Sequence, residues 1–191
     1  MNIATQALTL EEFLKLPETK PASEFIDGEV IQKPMPQGEH SLLQGELCAV
    51  INRVAKPQKI ALAKLSEGIA FPELRCTFGG DSIVPDVVVF RWERIPLRPS
   101  GRIANRFEIY PDWSIEILSP DQSQTKVLGK LLHCSQHGTE LGWLIDPEEE
   151  SILVVFPEQR VQLLRGTAQL PILSGIALEL TVEQVFSWLM L

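Results

Sequence analysis

The sequence predicts an α/β fold in which a mixed sheet is flanked by helices, and three observations carry that prediction. From His40 to Val54 the apolar residues Leu43, Leu47, Val50, Ile51 and Val54 recur every three or four positions, the period of an amphipathic helix. Two runs of strand length, Trp113 to Leu118 and Leu141 to Ile145, are separated by Ser123 to Gln136, which sets Val127, Leu128, Leu131 and Leu132 on one helical face. Glu24 to Ile31 is two short apolar runs about Asp27-Gly28, the strongest local signal for a tight hairpin.

The other elements follow in chain order. Thr9 to Leu16 reads as a short helix packed as a lid or edge: Thr9 caps it, Glu12 completes a capping box and Pro17 stops it. The Asp27-Gly28 hairpin begins the sheet. Lys59 to Phe71 suits a strand, Gly79-Gly80-Asp81 a turn, and Val84 to Phe90 a largely buried strand interrupted only by Pro85 and Asp86. Arg91 to Tyr110, with Pro96, Pro99 and Gly101, is expected to be an irregular excursion with a short helix after Arg102. Gly138 ends the helix that starts at Ser123, and Asp146-Pro147 ends the strand that starts at Leu141. Ser151 to Phe156 and Arg160 to Leu164 form a hairpin, and Thr181 caps a last helix through Leu189.

A chain of 191 residues, 45% of them hydrophobic, fits one domain over residues 1–191, with 1–20 as an N-terminal helical extension and 151–191 as a C-terminal hairpin and helix. No apolar run approaches the ~20 residues that span a bilayer, so no membrane partner is expected. The N-terminus lacks the basic start and apolar core of a secretory signal, which points to the cytoplasm. Cys48, Cys76 and Cys134 are far apart without a CxxC pair and are expected to fill apolar space. The formal charge of −8 argues against tight nonspecific binding of nucleic acid by a monomer. It leaves room for metal-assisted chemistry on phosphates, because a metal site must itself concentrate carboxylates.

Two residues break the apolar pattern. Asp86 stands within Val84 to Phe90, and Glu116 within Ser114-Ile115-Glu116-Ile117-Leu118, where an ionised carboxylate is expensive unless paired, hydrogen-bonded or bound to a cation. If the two strands are neighbours, the carboxylates converge and suit a hard divalent ion such as Mg²⁺. Lys126 and Lys130, four apart on the next helix, share a face that could reach back to them. The plain alternatives are that Asp86 forms a turn or salt bridge, that Glu116 pairs with a lysine structurally, and that both lysines are solvated. His133 and His137 are read as surface or packing residues, and Glu148-Glu149-Glu150 as a solvated turn.

Pro85-Asp86 with its apolar flanks, Glu116 in Ser114-Ile115-Glu116-Ile117-Leu118-Ser119-Pro120, Lys130, and Gly142-Trp143-Leu144-Ile145-Asp146-Pro147 together resemble the PD-(D/E)XK nuclease superfamily. More narrowly they resemble its Uma-two branch of restriction-endonuclease-like proteins. Glu11-Glu12-Phe13-Leu14, Glu24-Phe25-Ile26-Asp27-Gly28-Glu29 and Glu39-His40-Ser41 match the same branch, so the resemblance covers residues 8 to 165.

The resemblance implies a restriction-endonuclease-like core, with Asp86 and Glu116 as metal ligands and the Ile117 carbonyl as a third. The superfamily lysine follows the acidic residue by two positions, where this chain has Leu118. In this branch the following helix supplies it, at Lys130, with Lys126 as the substitute. Glu24, through a water ligand, and His40, as a phosphate contact or proton shuttle, would complete the site; the alternatives are a hairpin anchor and a helix-capping contact.

The implied activity is a Mg²⁺-dependent endonuclease, Mn²⁺ substituting, that hydrolyses phosphodiester bonds in DNA. Lys130 would position the attacking water or stabilise the transition state. A nuclease-fold binding or assembly module with weak or no catalysis is the alternative, and a hydrolase of smaller phosphoesters with a closed pocket is a third reading. A homodimer would suit cleavage of two strands. If Asp86 is buried mainly for function, Asp86→Asn should leave stability within about 1 kcal/mol or raise it.

Overall fold

The computed structural model describes residues 8–55, 68–120 and 122–190. It is a mixed α+β structure with two sheets. The smaller, wholly antiparallel sheet has the order β2-β1-β5-β4, from β1 (Ser23–Ile26), β2 (Glu29–Gln32), β4 (Cys76–Phe78) and β5 (Asp81–Ile83). The larger sheet has the order β10-β9-β8-β7-β6-β3, from β3 (Gly68–Pro72), β6 (Val87–Arg91), β7 (Trp113–Ile117), β8 (Leu141–Asp146), β9 (Ser151–Val155) and β10 (Val161–Arg165). Among the described residues its one parallel pair is β7 with β8, joined across helix α3 (Gln124–Gln136) as parallel strands require a crossover.

Strand alternation divides the larger sheet into two unlike faces. Val87, Val89, Trp113, Ile115, Ile117, Trp143 and Ile145 point to one side, where Leu43, Leu47 and Ile51 of helix α2 (Gly38–Ala55) cover them. Leu170, Leu173, Leu180 and the helix α4 (Val182–Ser187) complete that cover. Trp113 and Trp143 meet edge to face at 4.7 Å in its centre. On the other side Val127 and Leu131 of α3 pack on Leu144 and Val155, while Val88 and Phe90 pack with Cys76, Ile83, Phe107 and Cys134. Between those two apolar patches lie Ser114 and Glu116, the polar residues of β7. Gly142, paired with Ser114, lets α3 approach: a Cβ there would stand 3.2 Å from Val155 Cβ and 3.4 Å from Leu131 Cδ2.

The structure revises several sequence expectations. The run Val84 to Phe90 is not one strand: Asp81–Ile83 belongs to the smaller sheet, and the chain passes through Val84-Pro85-Asp86 before β6 begins at Val87. Asp86 is therefore at the seam between sheets, where Pro85 has no N–H to give a ladder. The Asp27-Gly28 hairpin forms with both residues at positive φ, 52° and 82°, but it belongs to the smaller sheet. No helix follows Arg102; two isolated bridges, Leu97 with Ile103 and Cys76 with Phe107, tie the excursion down, with Ile95 and Phe107 buried. The first helix is only α1 (Leu10–Phe13), with the Thr9–Glu12 capping box in place, and Phe13 seats on Phe25 at 5.5 Å. The last helix likewise stops at Ser187. Residues 59–67 of the predicted Lys59–Phe71 strand lie outside the described residues, and its end forms β3.

Candidate active site

Asp86 precedes β6 by one residue, and Glu116 is the penultimate residue of β7. The two strands are antiparallel neighbours with Val87 opposite Ile115, so the next step outward brings Asp86 to the Glu116-Ile117 end of β7. The Ile117 N–H donates to Asp86 Oδ2 at 2.7 Å, extending the ladder through a side chain. Two turns of α2 also reach Asp86: His40 Nε2 lies 3.2 Å from Oδ2, and the Gln44 side chain donates to the Asp86 carbonyl at 2.8 Å. These residues, four apart, share one helix face.

Lys33, just beyond β2, donates to Asp86 Oδ1 at 2.5 Å and to the Val84 carbonyl at 2.7 Å. Lys130 of α3 stands between two other carboxylates. Its Nζ donates to both oxygens of Glu24 at 3.2 and 3.1 Å and lies 2.9 Å from Glu116 Oε1. The distance makes Lys130–Glu116 an ion pair, while its angle leaves Glu116 Oε1 without an accepted hydrogen bond. The ion pair governs the charge of the group; the unmet lone pair leaves the oxygen receptive to a further electrophile. Glu24 Oε1 also accepts the Val84 N–H at 2.8 Å, which fixes the seam between the sheets.

The whole cluster is nearly closed to solvent, with Asp86 1%, Glu116 2% and Lys130 6% exposed. Burial by itself would raise the Asp86 carboxyl, but the Lys33 ammonium and His40 outweigh it and hold Asp86 well below the usual carboxylate range. Burial pushes Glu116 up to about 7, further than Lys130 pulls it down, and the negative charge of Asp86 adds to the rise. Burial works against the ammonium of Lys130, yet Glu116 and Glu24 keep its pKa raised above the ordinary lysine value. Glu24, Asp86 and Glu116 thus face Lys33 and Lys130, one negative charge in excess once Glu116 is ionised.

A cavity of about 710 Å³ opens beside this cluster, between the β1–β2 hairpin and α3. Glu24, Ile83, Val127 and Lys130 are buried parts of its lining, and Asp27, Glu29 and Lys126 are exposed parts. Lys33 lines both this cavity and a small recess shared with His40 and Asp86.

The structure therefore brings together Asp86, Glu116, Ile117, Lys130, Glu24 and His40. At three of them the structure gives specific partners. Glu24 is bonded directly to Lys130 and Val84; His40 faces Asp86 from the recess and does not line the cavity; Ile117 contributes its N–H to Asp86. Lys126, the substitute lysine, is exposed. His133 and His137 pack against Phe78, at 5.1 and 5.7 Å between ring centres, and His133 Nδ1 lies 3.5 Å from Asp81.

Sequence reading missed Lys33 and Gln44. Lys33 shares parity with Ile31, two residues earlier, so strand alternation carried a signal that it faces inward. Gln44 could be found only from its spacing to His40.

Among the described residues no three His, Cys, Asp or Glu side chains form a ready metal cage. A divalent ion would rest on two carboxylates with waters or backbone, as Mg²⁺ characteristically does. The donor set fits such an ion: buried carboxylate oxygens, one accepting no hydrogen bond, in a cluster with one negative charge in excess once Glu116 is ionised.

A profile of the Uma2 family, described as "putative restriction endonuclease", matches residues 10–183. The structure is similar to a crystal structure from Anabaena variabilis ATCC 29413, described as a putative nuclease belonging to DUF820. The two are 55% identical with a TM-score of 0.88, over 95% of this chain and 99% of that one. No protein of curated function matches this chain.

Proposed function

Since the chain belongs to the Uma2 family of restriction-endonuclease-like proteins, we propose that it is an endonuclease that hydrolyses phosphodiester bonds in DNA with Mg²⁺ or Mn²⁺. In this reading Asp86 and Glu116 hold the ion, with the Ile117 carbonyl as a third ligand. The observation that carries the proposal is the convergence of Asp86, Glu116 and Lys130, from three separate elements, in a buried cluster beside a cavity. A divalent ion bound there would polarise the scissile phosphate and lower the pKa of a water.

The chain's own groups divide the remaining work. Lys130 keeps its proton because Glu116 and Glu24 favour the ammonium, so it acts as a fixed positive charge for the phosphate and not as a base. Glu24 holds that ammonium from two oxygens and sets where it points. His40 and Gln44 position Asp86 from behind, through its carboxylate and its carbonyl respectively. Glu116, whose carboxyl burial raises in the metal-free site, must shed its proton to serve as a ligand, so ion binding should release a proton and weaken as pH falls.

The test is cleavage of supercoiled and single-stranded DNA in Mg²⁺ or Mn²⁺ by the wild type, Asp86→Asn and Lys130→Ala, prepared identically. Metal-dependent nicking lost in both variants is the expected result. Nicking that survives Asp86→Asn would refute the site. The cavity's volume, that of a small-molecule site, favours a second reading, a hydrolase of small phosphodiesters, which the same proteins would reveal by hydrolysing a nitrophenyl phosphodiester while leaving DNA intact.

A further inference from the structure

Lys33 has no place in the machinery described so far, yet its ammonium makes the shortest contact to Asp86. A carboxylate has about four lone-pair positions over its two oxygens. At Asp86 those of Oδ2 are engaged by the Ile117 N–H at 2.7 Å and by His40 Nε2 at 3.2 Å. Oδ1 faces Lys33 Nζ at 2.5 Å, and the Val84 carbonyl holds the same ammonium from its other side at 2.7 Å. The Lys33 side chain is only 9% exposed. Any cation that uses Asp86 must therefore take the remaining position on Oδ1, beside the Lys33 ammonium and repelled by it.

The geometry points to Lys33 as a resident cation that competes with the divalent ion for Asp86: it holds the metal-free site together and must withdraw from Oδ1 for the ion to bind. This inference rests on the metal-dependent reading proposed above. The withdrawal has a destination. Lys33 lines the 710 Å³ cavity, as Lys130 does, so an ammonium leaving Asp86 has space on that side. The Val84 carbonyl lies at the seam between the sheets, so a swing of Lys33 leaves both ladders intact.

The competition has a definite sign. If the Lys33–Asp86 pair is closed nine-tenths of the time or more, abolishing it should tighten the apparent affinity for the ion by about tenfold or more. A lysine that merely shaped the carboxylate for the metal would do the reverse when removed.

The experiment titrates Mn²⁺ alone into the full chain and reads free Mn²⁺ by electron paramagnetic resonance. Wild type, Lys33→Met, Lys33→Gln, Lys33→Arg and Glu116→Gln are compared, each first checked for folding by circular dichroism. The expected result is at least about tenfold tighter binding in Lys33→Met and Lys33→Gln, near wild-type binding in Lys33→Arg, which restores the cation, and loss of binding in Glu116→Gln. Unchanged or weaker binding in both neutral variants, with Glu116→Gln still abolishing it, would overturn the competition and leave the metal site standing. Absence of Mn²⁺ binding in the wild type and in all Lys33 variants would overturn the metal reading and this inference with it. Should Lys33→Met fail to fold, Lys33→Gln carries the comparison.

Discussion

The two faces of the six-stranded sheet are built from the same strands and do different things. On the α2 face the inward residues of β6, β7 and β8 are Val87, Val89, Trp113, Ile115, Ile117, Trp143 and Ile145, all apolar and closed by helix and C-terminal segment. On the α3 face β7 presents Ser114 and Glu116, and Glu116 is answered by Lys130 and, through it, by Glu24. One face gains from removing apolar surface from water. The other buries charges whose desolvation is offset only while every partner is present. Residues one position apart on β7 therefore belong to opposite economies of stability, and substitutions should separate them.

The largest expected effect is on the apolar face. Trp143→Ala would empty the centre of the Trp113–Trp143 pair and should lower unfolding free energy by about 3–5 kcal/mol in a denaturant titration. A loss under 1 kcal/mol would mean that this face is not the main source of stability.

Next comes Asp86→Asn, for which the structure leads to a different expectation from the conditional one drawn from sequence. Asp86 is the partner of Lys33, His40 and the Ile117 N–H, so the amide would leave a buried ammonium without its counter-charge. A loss of about 3 kcal/mol at neutral pH is expected, and Lys33→Met in the same chain should recover part of it. Equal stabilities for Asp86→Asn and the double variant would remove the pair from the account.

Glu116 should behave oppositely, because its carboxyl is raised where that of Asp86 is lowered. A raised carboxyl binds its proton more tightly in the folded state. Its contribution is full below the unfolded value of 4.5 and is lost as pH rises through about 7. Glu116→Gln should remove that loss and gain up to roughly 3 kcal/mol on the wild type between pH 5 and 8 in the absence of metal. Asp86 contributes the reverse slope, present above 3.8 and lost on acidification. Parallel stability curves for wild type and Glu116→Gln would contradict the raised carboxyl. The smallest effect belongs to Lys126→Ala, an exposed change on the same helix as Lys130, expected within about 0.5 kcal/mol of wild type.

Much of the fold was legible because its elements announce themselves over short distances. The Asp27-Gly28 turn, the Thr9 and Thr181 caps, the period of α2 and the apolar runs of β7 and β8 each depend on fewer than about twenty neighbouring residues. The site was half legible for a related reason. An acidic residue in an apolar strand is a local anomaly, which singled out Asp86 and Glu116. That Val84-Pro85-Asp86 form a seam between two sheets, with the strand starting only at Val87, was not legible, since three residues of seam carry no period of their own. Nor was the short helix expected after Arg102, where Pro and Gly marked irregularity correctly but two bridges, not a helix, hold the loop.

By itself, the sequence determined most of the segments that become strands and helices and the two carboxylates, one just before β6 and one in β7, that must be answered. Periodicity and burial cost are properties of neighbours along the chain. Only the tertiary structure decided what answers them: Lys130 and not Lys126 at Glu116, Glu24 as the holder of that lysine, and Lys33 at Asp86. Those pairings join residues 14 to 106 positions apart, and no local pattern encodes which lysine a closing helix or hairpin will turn toward a given carboxylate.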